Sequence, residues 1–214
     1  MSTNPEKDAH KFGETHQKLL ETGFHVFSER TIGAANLTDI ANEAGVGVMT
    51  VYRHFDKKPD LVLAVSAWAW EEYRKGITPV ADRSGMKASE LFSKFLDTFI
   101  DMYRNHPDLL RFNQYFNAYV KREGIPPERM QPYEKVIEEV ANQFHQLYQQ
   151  GQEDGTLRTD IPEKEIFSAT LHLMLAAVTR YAVGLVYDAG IDPEQELLLL
   201  KKMLMREYVV EPEA

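Results

Sequence analysis

Residues 36–61, which read NLTDIANEAGVGVMTVYRHFDKKPDL, constrain the fold of this chain more than any other stretch. Asn36 is placed to cap a helix that begins after it, and Asp39, three residues later, is placed to return a hydrogen bond to the backbone. Gly45 then ends this helix, because glycine adopts a positive φ without strain. The stretch therefore predicts a short helix followed by a tight turn.

A second short helix is predicted from Gly47 to Phe55. Its buried side is defined by the apolar residues that one face can gather, which are Val46, Val51 and Phe55. At about 100° per residue, the outward side then carries Met49, Thr50, Tyr52 and Arg53. The preceding helix carries the small residues Ala41 and Ala44, which allow a close crossing. Together these features predict a helix-turn-helix whose second helix enters the major groove of DNA.

The run I-A-x-E-A-G-V-x-x-x-T-V-Y-R-H-F-x-x-K-x-x-L, over residues 40–61, resembles the DNA-binding domain of tetracycline-repressor-like (TetR-family) regulators. The resemblance implies that phosphates or bases are contacted by Thr50, Tyr52, His54 and Lys58. The complete set of predicted DNA-binding residues is Asn36, Gly47, Val48, Met49, Thr50, Tyr52, Arg53, His54 and Lys58.

The sequence departs from the family pattern at three places. Gly47 stands where the family often has Ser or Thr, which removes a hydroxyl that would cap the helix or reach a phosphate. Val48 and Met49 stand where polar or small residues are common. Gly23 replaces a usual helix alanine, at a cost of roughly 1 kcal/mol in helix propensity.

The charge of the chain bears on any DNA-binding hypothesis. The formal net charge of −9 over 214 residues opposes DNA, because binding depends on neutralising phosphates with Lys and Arg. Cations nevertheless cluster beside the predicted recognition helix, at Arg53, His54, Lys57 and Lys58. The absence of Cys excludes disulfides and thiolate metal sites and agrees with a reducing cytoplasm. We expect a cytoplasmic, nucleoid-associated protein with modest affinity per subunit.

The remainder of the chain predicts helices only, since no segment alternates apolar and polar residues with a period of two. Helices are expected over residues 12–29, 59–75, 87–105, 107–122, 127–150, 163–188 and 193–209, with breaks at Gly and Pro. The predicted fold class is all-α, with about nine helices. We divide the chain into a mobile N-terminal arm (1–10), a three-helix helix-turn-helix DNA-binding domain (11–58) and a larger helical ligand-binding and dimerisation domain (59–214).

The helices after residue 59 are rich in aromatic residues. Aromatic stripes at helical spacing often only fill an interior, so a plain core is the alternative interpretation. Buried Tyr hydroxyls and His rings need partners, however, and an apolar cavity with a few polar groups is what a small-molecule site requires. The sequence predicts a site for an apolar, aromatic or cationic effector, lined by Trp68, Phe95, Phe99, Tyr103, Phe112, Tyr115, Phe116, Tyr119, Phe144, Tyr148 and His172.

Residues 163–188 are apolar on nearly every face, which predicts a helix buried on all sides. A membrane span is the rival interpretation, but His172 and Arg180 interrupt the segment and no second one follows, so no membrane is predicted. We expect one side to pack on the chain's own core and the other on a partner subunit, with residues 193–209 completing a four-helix interface. The TetR-family resemblance implies the same homodimer through the last two helices.

Sequence patterns typical of enzymes are absent: there is no G-x-S-x-G, no G-K-S/T phosphate loop, no H-E-x-x-H and no E-x-x-H. We therefore predict no catalytic residues, no metal site and no cofactor. The predicted function is a sequence-specific transcriptional regulator, a repressor that a small molecule releases from a pseudo-palindromic operator. The alternative is a helical small-molecule-binding or protein-interaction module without operator binding, which leaves the outward Tyr52, Arg53, His54 and Lys58 unexplained.

Overall fold

The computed structural model describes residues 5–76, 85–184, 190 and 192–210, and over these residues the chain is built from helices. The α-helices found there are α1 (Pro5–Arg30), α2 (Leu37–Glu43), α3 (Val48–His54), α4 (Lys58–Gly76), α5 (Ala88–Asn105), α6 (Pro107–Glu123), α7 (Gln131–Asp154), α8 (Glu163–Val183) and α9 (Pro193–Tyr208). Extended pairing in the same residues consists of one isolated bridge, between Leu157 and Val209. The all-α prediction is confirmed.

The helices group into two compact units. The first unit consists of Met1–Ile77 and Arg111–Tyr133, and the second unit consists of Thr78–Leu110 and Glu134–Ala214. The first unit therefore holds the predicted helix-turn-helix, α4 and the part of α6 that begins at Arg111. The functional boundary that we placed after residue 58 remains a prediction.

The core of the first unit is formed by side chains from α1 to α4 and from α6. Its fully buried members include Phe27, Ile40, Val51, Leu61 and Phe116. α1 and α4 approach closely at Gly23, where an added Cβ atom would lie 3.0 Å from Cγ2 of Val65. Gly23 costs helix propensity, but a larger residue at this position would crowd the contact between α1 and α4.

α1 begins earlier than the sequence predicted. The helix starts at Pro5 rather than at residue 12, so residues 5–10, which we assigned to a mobile arm, belong to α1. Proline is accepted at a helix start because the first N–H groups have no partner inside the helix. The predicted start of the helix is therefore corrected to Pro5, the mobility of the arm stays a prediction, and residues 1–4 lie outside the described residues.

The turn after α1 contains an unusual backbone conformation. Thr31 has a φ of 67°, a region that β-branched residues rarely occupy. The Thr31 hydroxyl accepts a weak hydrogen bond from the N–H of Ala34 at 3.4 Å. This strained turn leads directly to the cap of α2.

Two further helix boundaries differ from the prediction. The single helix expected over residues 127–150 is a 3₁₀ turn, Pro127–Arg129, followed by α7. α7 begins at Gln131 rather than at Pro127, because Pro132 is tolerated only in the first turn of a helix. α8 ends at Val183 rather than at residue 188, because Gly184 has a φ of 105°. Residues 185–189 lie outside the described residues.

The second unit has a core of its own. Phe92, Leu96, Phe144 and Met174 are fully buried there. α7 passes close to the segment that follows it: a Cβ atom added to Gly151 would lie 2.7 Å from Cβ of Leu157. The same segment pairs with the end of α9, since the N–H of Arg158 donates to the carbonyl of Tyr208 at 2.8 Å.

α8 is the one helix in the described residues that is long and apolar enough to cross a membrane by length and composition. The core helix of a soluble protein meets the same test. Here Ile166, Thr170, Met174 and Val178 are fully buried inside the chain. Leu173 is 42% exposed, so α8 is buried on one face and not, within this chain, on all sides.

Candidate nucleic-acid interface

The start of the helix-turn-helix forms as the sequence predicted. Oδ1 of Asn36 accepts a hydrogen bond from the N–H of Asp39 at 2.9 Å, and the N–H of Asn36 donates to Oδ2 of Asp39 at 2.9 Å. Gly45 has a φ of 65°, the left-handed conformation that ends a helix. The capping box and the turn glycine are confirmed. The Asn36 side chain is engaged in this cap. Its predicted contact with DNA stays a prediction.

α3 is anchored by the residues assigned to its buried side. Val51 is 0% exposed and Phe55 is 5% exposed, while Val46 packs partly buried against the same core. Gly47 provides no side-chain hydrogen bond at the start of the helix, but its carbonyl accepts the N–H of Thr50 at 2.8 Å. These contacts fix the rotation of α3 and therefore which side chains face outward.

The outward face of α3 carries large exposed side chains. Met49 is 72% exposed and Tyr52 is 47% exposed, and Arg53 is also exposed. Thr50 is half-buried at the edge of this face. Val48 lies half-buried against the core of the first unit, and its predicted DNA contact stays a prediction. The outward face defined by Met49, Thr50, Tyr52 and Arg53 is hereafter called the α3 face.

His54 does not point outward. Its ring stacks on that of Phe12 with centroids 3.9 Å apart, and His16 lies 5.5 Å away. Both ring nitrogens are buried without a hydrogen-bond partner among the described residues. Burial, and then the neighbouring His16 and Arg53, lower the pKa of His54. His54 therefore joins α3 to α1 through its ring, and the DNA contact that the resemblance implied stays a prediction.

Lys58 is engaged by groups of its own chain, and its predicted phosphate contact stays a prediction. Its ammonium donates to the carbonyl oxygen of Ala35 and lies 5.5 Å from the centroid of the Tyr119 ring. Burial, and then Arg122, lower the pKa of Lys58, while Glu123 and Asp39 oppose the change. The predicted phosphate-binding cation is thus held inside the first unit by contacts with its own chain.

Five residues of the predicted ligand site lie in the first unit: Trp68, Phe112, Tyr115, Phe116 and Tyr119. They extend the core that supports the helix-turn-helix. The ring of Phe24 lies 5.8 Å from that of Trp68 and 5.5 Å from that of Phe112. Nε1 of Trp68 is buried without a hydrogen-bond partner in the described part of the chain.

The other six predicted residues lie in the second unit: Phe95, Phe99, Tyr103, Phe144, Tyr148 and His172. Phe95 contacts two others of this group, since its ring lies 5.4 Å from those of both Phe99 and Phe144. Tyr103 packs on Tyr181 with ring centroids 6.0 Å apart. The predicted lining is therefore divided between two units.

Two residues of that lining have partners within the chain, and their place in a ligand site stays a prediction. The hydroxyl of Tyr148 donates to the carbonyl of Ile161 at 2.9 Å. His172 is exposed on α8, with Nδ1 3.3 Å from the hydroxyl of Ser168. The helical period places Thr170 and Met174 inward at this turn, which turns His172 away from the core.

Sequence reasoning missed several polar residues of the first unit. Asn113 is 4% exposed, and its Oδ1 has no hydrogen-bond partner among the described residues. Burial raises the pKa of Tyr133, while hydrogen bonds with Asn117 and Asn113 oppose that change. The sequence does place Asn113 next to Phe112 and one helical turn before Phe116 on an amphipathic helix. An Asn at the edge of the apolar face is equally compatible with an exposed position, so its burial was not predicted.

Comparisons with known proteins agree with this geometry. Residues 19–65 match the family model described as bacterial regulatory proteins, tetR family. These residues include the whole helix-turn-helix and the first part of α4. No curated protein matches the chain in sequence.

Solved structures share the fold over nearly the whole chain. A TetR transcription regulator from Haloarcula marismortui is 15% identical, with a TM-score of 0.72 over 92% of this chain and 100% of that one. The fatty acid degradation regulator FadR from Bacillus halodurans is 15% identical, with a TM-score of 0.67 over 96% and 97%. A protein from Saccharomonospora viridis in complex with choline is 18% identical, with a TM-score of 0.68 over 93% and 100%. The helix-turn-helix segment therefore matches the tetR family model, and the chain as a whole shares its fold with solved structures of TetR-family regulators.

Proposed function

We propose that the chain is a transcriptional repressor that binds a pseudo-palindromic operator as a homodimer in the cytoplasm. The α3 face carries this proposal. Met49 is exposed over 72% of its surface while Val51, two residues later, is completely buried. A rigidly anchored helix that presents Met, Thr, Tyr and Arg outward is suited to the major groove. We infer a role in regulation and none in catalysis.

The residues of the α3 face divide into two roles. Met49 and Thr50 are suited to base edges, with the Met49 side chain placed against a thymine methyl group. Tyr52 and Arg53 are suited to phosphates, which position the protein without specifying sequence. The role of each residue is therefore testable by its effect on base preference and not only on affinity.

The test is selection of preferred sequences from genomic fragments, followed by footprinting of the bound DNA. Met49→Ala should change the preferred base at one position of each half-site. Tyr52→Phe should weaken all sequences alike, and Glu165→Gln, an exposed residue of the second unit, serves as the control. Binding without sequence preference at low salt would contradict the repressor and support the alternative, a helical binding module without an operator.

The homodimer is supported by an apolar surface on α8 and α9. Its exposed members are Leu173, Val183, Leu198, Leu199 and Met203, each more than 40% exposed in the single chain. A surface with this many large apolar residues is typical of an interface between subunits. A second copy of the chain that packs α8 and α9 against the same two helices would cover it.

Sedimentation tests the dimer directly. Leu173→Glu and Met203→Glu should give monomers with reduced operator binding, because a charge would be buried in the interface. Lys164→Glu places a new acid on an exposed polar position of the same helix and should leave the dimer intact. A wild-type protein that sediments as a monomer at micromolar concentration would contradict the interface.

We further propose that a small apolar, aromatic or cationic molecule releases the operator. Two aromatic groups support this proposal, one around Trp68 and Phe112 in the first unit and one around Phe95 and Phe144 in the second. Aromatic faces attract cations by about 0.5–2 kcal/mol each. The Saccharomonospora viridis protein is in complex with choline, a quaternary ammonium compound, which makes this ligand class a reasonable first choice.

Thermal-shift screening with quaternary ammonium compounds and flat aromatic compounds tests the effector proposal. A ligand that stabilises the protein should weaken operator binding, and by linkage the operator should weaken binding of that ligand by the same factor. Trp68→Phe and Phe95→Leu should reduce the shift selectively according to which aromatic group binds. If no stabilising compound changes operator affinity, both groups are plain core.

A further inference from the structure

A contact inside the first unit occupies the cation that the sequence assigned to a DNA phosphate. Lys58 lies in the first turn of α4, and its ammonium donates to the carbonyl of Ala35 in the turn before α2. The same ammonium lies 5.5 Å from the centroid of the Tyr119 ring on α6. Tyr119 is only 5% exposed, so its ring is fixed by packing. Lys58 is therefore held by two groups, one of which belongs to α6.

A second cation shares the ring of Tyr119. The guanidinium carbon of Arg122 lies 5.7 Å from the ring centroid, and Nη2 of Arg122 pairs with Glu123 at 2.9 Å. Arg122 also reaches the turn between α1 and α2, because a Cβ atom added to Gly33 would lie 2.9 Å from its Nη1. The positive charges of Lys58 and Arg122 therefore lie beside the same Tyr119 ring and the same turn between α1 and α2. Their mutual repulsion favours release of the Lys58 ammonium from this position.

α6 and the 3₁₀ turn after it contact the start of α4 at a second point. Arg129 pairs with Asp60, which lies two residues after Lys58. Arg111 at the start of the same segment pairs with Glu29 of α1 at 3.1 Å. These ion pairs tie the segment formed by α6 and the 3₁₀ turn to α1 and to the first turn of α4, which contains Lys58.

We propose that Tyr119 is a latch that holds the Lys58 ammonium against the α1–α2 turn and withholds one phosphate contact per subunit from DNA. Displacement of α6 opens the latch. The side chain of Lys58 then swings from the Tyr119 ring towards the DNA backbone beside α3, because four methylene groups separate its ammonium from the fixed first turn of α4. The latch rests on the proposed operator binding. Under this proposal, the position of α6 determines how many DNA phosphates the protein neutralises.

The salt dependence of operator binding counts those phosphates. Each contact with a phosphate adds about 0.9 to the steepness of log K against log salt. The proposal predicts that Lys58→Met leaves the wild-type steepness unchanged, since the latched lysine touches no phosphate. Tyr119→Leu should raise the steepness by about 1.8 for a dimer, one contact from each subunit. The double variant should return to the wild-type value.

Two control variants and one independent measurement make the result specific. Tyr119→Phe keeps the ring and should behave as wild type, and Gln114→Leu places the same side chain at an exposed position of α6 and should leave the steepness unchanged. Should Tyr119→Leu fail to fold, proton exchange of the Lys58 ammonium in the free wild-type protein, measured by nitrogen NMR, should be slow relative to that of exposed Lys57.

Distinct outcomes separate the latch from the function on which it rests. The latch is overturned, and the repressor is not, if the protein binds operator but the salt dependence becomes less steep in Lys58→Met alone. The same conclusion follows if the salt dependence does not become steeper in folded Tyr119→Leu. Fast exchange at Lys58, equal to that at Lys57, overturns it as well. Wild-type protein that binds no operator overturns the proposed function and the latch together.

Discussion

Replacement of Asn36 with Ala tests how the helix-turn-helix is held in shape. In the structure, Oδ1 of Asn36 accepts the N–H of Asp39 and the N–H of Asn36 donates back, both at 2.9 Å. Loss of a side-chain cap costs about 1 kcal/mol, within a range of about 0.5–2 kcal/mol. α2 has only seven residues, so few hydrogen bonds of its own offset that loss. We expect destabilisation of about 1 kcal/mol, or about 2–4 °C in Tm.

Urea unfolding and operator titration of Asn36→Ala and Asn36→Ser separate the cap from a DNA contact. Ser keeps the acceptor oxygen, so its variant should remain within about 0.5 kcal/mol of wild type. It should also keep wild-type operator affinity if capping is the role of this residue. An Asn36→Ala protein that unfolds like wild type but binds operator weakly would refute the capping argument and assign Asn36 to the DNA.

Three further perturbations have defined outcomes. The pKa of His54 is lowered from 6.5 in the folded protein, so the folded state binds fewer protons than the unfolded state as pH falls through 6.5. The stability of wild type relative to His54→Phe should therefore fall as the pH drops below 6.5 and stay constant above it; equal pH profiles from denaturant unfolding would contradict the burial of the ring. Gly151→Ala should destabilise the protein by about 1–2 kcal/mol, because its Cβ would lie 2.7 Å from Cβ of Leu157. Gly13→Ala should instead stabilise α1 by up to about 1 kcal/mol, because nothing lies within 4 Å of the added Cβ atom. Calorimetry that gives the two variants stability changes of the same sign would refute the packing argument. Thr31→Gly should stabilise the turn by about 1 kcal/mol, because it relieves a φ of 67°, whereas Thr31→Val should not; a loss of stability in the Gly variant would show that the turn is unstrained.

The sequence predicted the parts of the site that depend on neighbouring residues. The cap of α2 and the outward direction of Met49 and Tyr52 follow from local hydrogen bonding and from the helical period, and both are found in the structure. The directions of His54 and Lys58 were not predictable in this way. Each is set by an aromatic residue distant in the chain, Phe12 for His54 and Tyr119 for Lys58.

The aromatic residues show the same limit of sequence reasoning. Helical spacing indicates which face of a helix is apolar, but it does not indicate which other helix that face meets. Phe112 and Phe95 fit one predicted lining equally well, yet Phe112 belongs to the core of the first unit and Phe95 packs on Phe99 and Phe144 in the second. His172 was assigned to the lining by composition, and the period of α8 places it outside.

Hydroxyl-radical footprinting on DNA selected by the protein from genomic fragments tests the central claim, that the α3 face reads an operator as part of a dimer. The account predicts two protected half-sites related by a dyad, with centres about 34–36 Å apart on one side of the duplex. It also predicts that Met49→Ala changes the selected base at the same position of both half-sites. A single protected site, protection without sequence preference, or identical selections by wild type and Met49→Ala would contradict it.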